Sequence, residues 1–286
     1  MKAPDTMLET LEELGNCVQA LGDYAQSAVL TGGLVPFAYR HLPYLTGVTT
    51  LPPLQTFDLD WTVPNPLELR GPSLDEQFAE SGFVLVQGGQ QPPHVMVYQP
   101  ARYGDVRGPV YVEFLTPRKG GGEVRGQDRA LLEVQAGLNA QALPYLDLLL
   151  HDPLPFDASA IPGTGLEKTT QILLPDPMAY VMQKVMARDR RRPNKKGTDQ
   201  AHIYDVVVLW RKRWPEMCAS LTALEEAGFP ISWFKRARVT LASLYHSPDS
   251  DGPVEVARIY NGFIGGRTVR EASVHKLMQQ FLGVIG

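Results

Sequence analysis

The sequence predicts an α+β fold: a mixed β-sheet flanked by helices over residues 1–165, followed by a mainly α-helical domain over residues 166–286. Three observations predict it. Thr56 to Val63 alternates apolar and acidic residues with the two-residue period of a strand, and Pro109 to Leu115 is a second, more apolar strand. From Pro177 onward the apolar spacing is helical almost to the end, broken near Pro193, Pro215, Pro230 and Pro248. Mixed elements first and helices afterwards point to two structural units.

Asp5 to Leu21 has helical spacing, with Leu8, Leu11, Leu14, Val18 and Leu21 on one face and Asp5 or Thr6 as the cap. Ala28, Val29 and Leu30 form a short strand that runs into Thr31-Gly32-Gly33, and Leu34 to His41 forms a short helix leaving that turn. A proline-rich loop containing Pro52-Pro53 leads to the strand around Asp58. Leu74 to Ser81 reads as a surface helix capped by Ser73. Phe83 to Val86 and His94 to Tyr98 are strands joined at Gly88-Gly89. Arg118 to Gly126, rich in glycine and charge, reads as a mobile loop or hairpin tip, and Gln171 to Leu174 as a last strand.

A hydrophobic content of 44% with 20% charged residues supports a buried core. The net charge of −4 excludes a surface uniformly coated for nucleic acid, so any anion site must be a local concentration of positive charge. Cys17 and Cys218 have neither disulfide nor metal-ligand spacing and read as reduced thiols. The acidic N-terminal stretch lacks a signal-type apolar run, and no apolar stretch is long enough to span a bilayer. The expectation is a soluble, cytoplasmic protein with no membrane partner.

The chemistry concentrates in acids. Asp58 and Asp60 lie two apart on a strand and so project from one face, with Phe57, Leu59 and Trp61 turned to the core. Adjacent like charges are unfavourable without a cation between them, and Mg2+ accepts oxygen ligands while keeping waters that phosphate oxygens can replace. The plain alternative is a solvated strand face. Glu113 is the lone carboxylate in the apolar run Val112-Glu113-Phe114-Leu115. If its strand pairs beside that of Asp58, it becomes a third ligand, and three carboxylates can hold two Mg2+ or Mn2+ ions for in-line displacement at phosphorus. Otherwise it is an edge-strand residue facing solvent. Upstream, Gly32 and Gly33 would let backbone amides approach a phosphate closely.

Thr31-Gly32-Gly33, then Asp58-Leu59-Asp60, then a later strand bearing Glu113, resembles the signature of the polymerase-β-type nucleotidyltransferase superfamily. The resemblance implies that the glycine turn cradles the triphosphate of an NTP substrate. Asp58 and Asp60 would bridge both metal ions, while Glu113 would hold the acceptor-side ion and help deprotonate the nucleophile. Two departures stand out: a long gap between Gly33 and Asp58, and Gly33 where many relatives have serine. Phosphate contact would then rest on amides, with Thr31 as a helper.

A second region, Pro177 to Asp199, concentrates basic residues. Lys184 and Arg188 are four apart on a helix beside an apolar stripe of Met178, Val181 and Val185, which suits a polyphosphate or an RNA backbone. The alternative is a solvated helix end complementing the dipole. Lys184, Arg188, Lys196, Asp199, His202 and Asp205 together resemble a stretch of the AbiEii-like toxin nucleotidyltransferases. That resemblance implies NTP binding by Lys184 and Arg188, additional roles for Lys196 and Asp199, an RNA, protein or small-molecule acceptor, and an antitoxin partner. His202 and His275 are isolated from other ligands; His202 is expected beside Tyr204 on a helix surface, and Trp210, Trp214, Trp233 and Phe234 are expected to pack between helices. Two rival readings remain: a haloacid-dehalogenase-type phosphatase phosphorylated on Asp58, and a catalytically inactive nucleotide- or RNA-binding module.

Overall fold

The computed structural model describes residues 6–54, 56–88, 95–104, 108–118, 130–190, 193–264 and 269–286. The chain divides into two compact units, Met1–Ala38 with Gln55–Pro175, and Tyr39–Leu54 with Asp176–Gly286.

In order, the first unit contains α1 (Thr6–Leu21), β1 (Val29–Thr31), the start of α2 (Val35–Tyr39), β2 (Asp58–Thr62), α3 (Leu74–Glu80), β3 (Phe83–Gly88), β4 (Val95–Pro100), β5 (Tyr111–Pro117), β6 (Ala130–Gln135), β7 (Leu138–Leu143), β8 (Leu154–Asp157) and β9 (Gln171–Leu174). The strands form one mixed sheet in the order β3-β4-β5-β2-β1-β9-β8, with the β6-β7 hairpin added through β7 to β5. Pairing is parallel for β2 with β5, β5 with β7 and β1 with β9, and antiparallel elsewhere.

Local chemistry explains the boundaries. Ser73 caps α3 by accepting from the Glu76 amide at 3.2 Å, while the Glu76 carboxylate accepts from the Ser73 amide at 2.7 Å, closing a capping box. Phe78 of α3 then packs on the sheet against Phe83, Tyr98 and Phe114, with ring centroids 5.1–5.3 Å away. On α1, Leu11, Leu14, Val18 and Leu21 are buried as the spacing requires. Leu8 is not: it is 49% exposed, in the first turn of the helix, beside the loop at Gly163. Buried Cys17, Glu13 and Thr10 complete the covered face. The expected cap Asp5, the turn at Gly89 and the loop from 119 to 126 lie outside the described residues.

Three strands carry no clear sequence signal. In β6 and β7 the residues are mostly Ala, Leu, Gln and Asn, which disfavour strands or are neutral. Only the alternating burial of Leu138, Ala140 and Ala142 shows the period of two. Pro155 sits in β8, tolerated because β8 is at the sheet edge.

The second unit packs α4 (Pro177–Ala187), α5 (Pro193–Leu209), α6 (Trp214–Glu226), α7 (Ile231–Leu244), α8 (Asp251–Ile264) and α9 (Glu271–Ile285). The prolines that interrupt the helical pattern mark helix starts. Pro193 opens α5, Pro215 is the second residue of α6 and Pro230 immediately precedes α7. Asp176 caps α4 by accepting from the amides of Met178 and Ala179 at 2.8 and 3.0 Å, and also accepts from the Ser220 hydroxyl at 2.7 Å. Residues Pro177–Met186 are buried all round, so α4 is a central helix. His202 is buried on α5 and not on a helix surface, and His275 bonds the Tyr245 carbonyl at 2.8 Å. Trp210, Trp214 and Phe234 are buried as packing residues.

The 39–54 stretch is tied to α5. Arg40 donates to the Leu51 carbonyl at 2.6 Å and forms an ion pair with Asp205, while Tyr39 and Tyr44 pack edge-on against Trp210. Asp205 is 1% exposed, and burial pushes its carboxyl above the ordinary range, while the Arg40 guanidinium pulls it back. Removing Arg40 as Arg40→Ala leaves a buried carboxylate unmatched and is expected to cost about 3–5 kcal/mol. Because the folded state then favours the neutral acid, the loss should be small near pH 4 and grow as pH rises to 7. Urea denaturation across that range checks it, and the Arg40→Ala/Asp205→Asn pair should recover most of the loss at pH 7.

Candidate active site

The parallel register of β2 with β5 sets the site. Asp58 is the Cα partner of Tyr111, and Asp60 of Glu113. Thr31 partners Asp60 from the other side and Val97 partners Glu113, so Thr31, Asp60, Glu113 and Val97 form one cross-strand row. Leu59 and Trp61 are fully buried, as is Val112, while Phe114 is 3% exposed. Alternation turns Asp58, Asp60, Tyr111 and Glu113 to the opposite face, where each is half-buried. Asp60 and Glu113 are thus one strand spacing apart, about 4.8 Å. Unit charges at that spacing repel by about 3 kcal/mol at an effective dielectric of about 20, an incentive to share a cation.

The glycine turn lies against this row. Gly32 has a φ of +71° and begins a 3-10 turn, Gly32–Leu34, that packs on β2. A Cβ at Gly32 would stand 2.0 Å from Oδ2 of Asp60 and 2.9 Å from its Cγ. The Asp60 carboxylate therefore occupies the space a side chain at position 32 would need. Gly33 follows within the same turn, and the helix beyond is the five-residue α2, shorter than the stretch to His41 that the sequence suggests. Thr31 is buried: its hydroxyl donates to the Asp60 carbonyl at 3.2 Å, and the Thr62 hydroxyl donates to that of Thr31 at 3.3 Å. Thr31 thus acts on register.

Asp58, Asp60 and Glu113 share a face without forming a ready cage. Among the described residues no group of three or more His, Cys, Asp or Glu side chains is gathered to hold a metal ion. The donor set nevertheless fits one. Carboxylate oxygens from adjacent strands suit a hard divalent cation that keeps several waters, and Asp and Glu oxygens swing inward by side-chain rotation.

The basic residues expected to meet phosphate lie in the helical unit. Lys184 is 4% exposed, with its ammonium 2.7 Å from Oδ1 of Asp199 and 5.6 Å from the centre of the Tyr180 ring. Its helix is buried rather than presented as a basic face. The structure therefore joins Lys184 and Asp199 as an ion pair across α4 and α5. Arg188, at the end of α4, reaches Asp251 at 3.4 Å and lines a groove with residues of α7 and the α7–α8 connection. Lys196 is half-buried on the first turn of α5, and Arg191 and Arg192 lie outside the described residues. Sequence reasoning missed Arg40, whose partner Asp205 lies 165 residues away and gives no local signal. It also missed Tyr111, visible only once the strand register is known.

A family model described as Nucleotidyltransferase matches residues 12–225. The chain belongs to this nucleotidyltransferase family. The match spans the glycine turn, all three carboxylates and the Lys184–Asp199 pair, and it ends before α7. No curated protein matches the chain. Among solved structures it is similar to an antigenic nucleotidyltransferase-like protein from Paracoccidioides brasiliensis, at 15% identity and a TM-score of 0.39, over 82% of this chain and 93% of that one. Among the described residues no helix of this nucleotidyltransferase is long and apolar enough to cross a membrane.

Gly32→Ala should be disabling, because it combines a left-handed φ with a collision against Asp60. A stability loss of about 1–3 kcal/mol in thermal or urea unfolding is expected, with activity reduced further than that loss explains. Thr31→Val should cost about 1 kcal/mol through the lost register bond alone.

Proposed function

We propose that this nucleotidyltransferase moves a nucleoside monophosphate from an NTP to a hydroxyl acceptor, with Asp58, Asp60 and Glu113 as its metal-binding and catalytic carboxylates. The single observation that carries the reading is the Thr31–Asp60–Glu113 row with the Gly32 turn packed on Asp60. Membership of the nucleotidyltransferase family favours transfer over the phosphatase alternative, which would need an acyl phosphate on Asp58.

In this mechanism Asp58 and Asp60 would hold two Mg2+ or Mn2+ ions, with Glu113 as a third ligand. When bound, such ions supply charge neutralisation on the phosphates and lower the pKa of a coordinated hydroxyl. The chain's own contribution is alignment. Backbone amides of the Gly32–Gly33 turn receive the phosphates, and the sheet fixes the carboxylates so that nucleophile and leaving group lie in line. Glu113, beside the acceptor, takes the proton of the attacking hydroxyl. Its neighbours Val112 and Phe114 are buried in the core, which anchors the strand that carries it.

Lys184 and Arg188 enter the reading through the likeness to AbiEii-like toxins. A phosphate role for Lys184 requires its bond to Asp199 to yield to a triphosphate, whereas Arg188 is the more accessible cation, its side chain 20% exposed. A toxin role and an antitoxin partner rest on that likeness as well; a cytoplasmic site of action rests on the two unpaired cysteines and the lack of a signal-type apolar run.

Asp58→Ala and Asp60→Ala should each abolish pyrophosphate release from NTP, with circular dichroism and melting temperature preserved. Undiminished turnover in either variant removes the assignment. Lys184→Met should be destabilised by about 3–5 kcal/mol because it breaks the buried ion pair with Asp199, and Lys184→Met/Asp199→Leu should regain much of it. If Lys184 also meets phosphate, the refolded double variant keeps a raised KM for NTP; a normal KM with normal rate confines Lys184 to the fold.

A further inference from the structure

We infer that the helical unit carries a docking surface for single-stranded RNA, built on a pocket between the 48–51 stretch and the Arg211–Arg213 turn. It rests on the proposed transfer reaction only in naming RNA as acceptor; the binding itself needs no transfer.

The pocket encloses about 370 Å³, and half-buried Val48, Leu51, Val208 and Leu277 line it beneath Arg211 and Lys212. Among the described residues no carboxylate lines it, in a chain whose 31 acidic residues outnumber 27 basic ones. The groove beside Arg188 is a useful contrast, since Asp249 and Asp251 line it and would repel a phosphate. Both cations of the pocket keep their charge available. Arg211 bonds the neutral Gln280 amide at 3.3 Å, and Lys212 is exposed. The third cation of the run does different work. Arg213 is paired with Glu216 and lies 4.0 Å over the ring of Tyr44, fixing an aromatic that is 47% exposed.

Uncompensated cations, an apolar recess and a held, part-exposed ring form the combination a single strand uses. Phosphates meet the positive charge, and an unstacked base offers an apolar face to recess or ring. A duplex keeps its bases stacked and cannot fill the recess. An acidic peptide would satisfy the cations without calling on Tyr44.

The test is fluorescence anisotropy of a labelled single-stranded RNA with the full chain across a salt series, alongside pyrophosphate release from NTP. Arg211→Glu/Lys212→Glu is expected to weaken binding at least tenfold and to flatten the salt slope by about 2. Tyr44→Ala should weaken it roughly fivefold or more. Circular dichroism of each variant guards against misfolding. Absence of RNA binding by the parent chain, equal binding by the charge-reversed variant, or preference for an acidic peptide over RNA each overturns the inference. The two readings fail separately: lost turnover in Asp60→Asn with RNA affinity indifferent to Arg211 and Lys212 sinks only the docking surface. Turnover indifferent to Asp60, with RNA binding that needs Arg211 and Lys212, sinks only the catalytic assignment.

Discussion

The parallel pairing of β2 with β5 is the constraint from which the candidate site follows. Because side chains alternate along a strand, a slip of one residue would exchange the two faces of β2, burying Asp58 and Asp60 and exposing Leu59 and Trp61. Full burial of Leu59 and Trp61 forbids it, since each large apolar side chain contributes on the order of 1.5–3 kcal/mol by leaving water. The core face thus aligns the acidic face. Buried polar bonds add to this: the Thr116 hydroxyl of β5 donates to the Val63 carbonyl at 3.0 Å beside β2, and the Thr31 hydroxyl, to the Asp60 carbonyl, fixes the neighbouring β1–β2 register. The acids gain their alignment from the buried side chains on the opposite face of the same strands.

The helical unit solves a different problem, that of burying a polar helix. In α5 every residue from Asp199 to Val207 is buried, although the stretch includes Gln200, His202 and Asp205. Such a helix is stable only where its polar groups find partners. Lys184 meets Asp199, the Tyr245 hydroxyl donates to Gln200 at 3.0 Å, and Arg40 meets Asp205. Buried ion pairs contribute little net stability, yet they penalise any arrangement that leaves one charge alone. They therefore fix which helix lies beside which, and they fasten the 39–54 stretch to α5.

Much of this was legible from the sequence, and what was not has physical causes. The Asp58-Leu59-Asp60 alternation and the apolar setting of Glu113 identified both strands, because half-buried strands print their period directly. The helix starts near Pro193, Pro215 and Pro230 were equally plain. The spacing of Lys184 and Arg188 suits a phosphate-binding face, and nothing local announces that Lys184 pairs with Asp199 in the interior. The long gap after Gly33 was visible as an insertion, but its attachment to the helical unit depends on Arg40 and Asp205, a pair without sequence proximity. In β6 and β7 the alternation is carried by alanines, which contrast too weakly with Gln and Asn to register as a strand.

The two surfaces of interest handle phosphate by opposite electrostatics. The β2–β5 face presents Asp58, Asp60 and Glu113, so on the proposed reading a triphosphate would approach it only in the company of divalent cations, and affinity for NTP there would be inseparable from affinity for metal. The Arg211–Lys212 pocket presents cations with no acid beside them, so a polyanion can settle there without a metal and should respond to ionic strength instead. A net-acidic chain that works on nucleotides needs this division, because a field suited to holding metal repels the bare substrate.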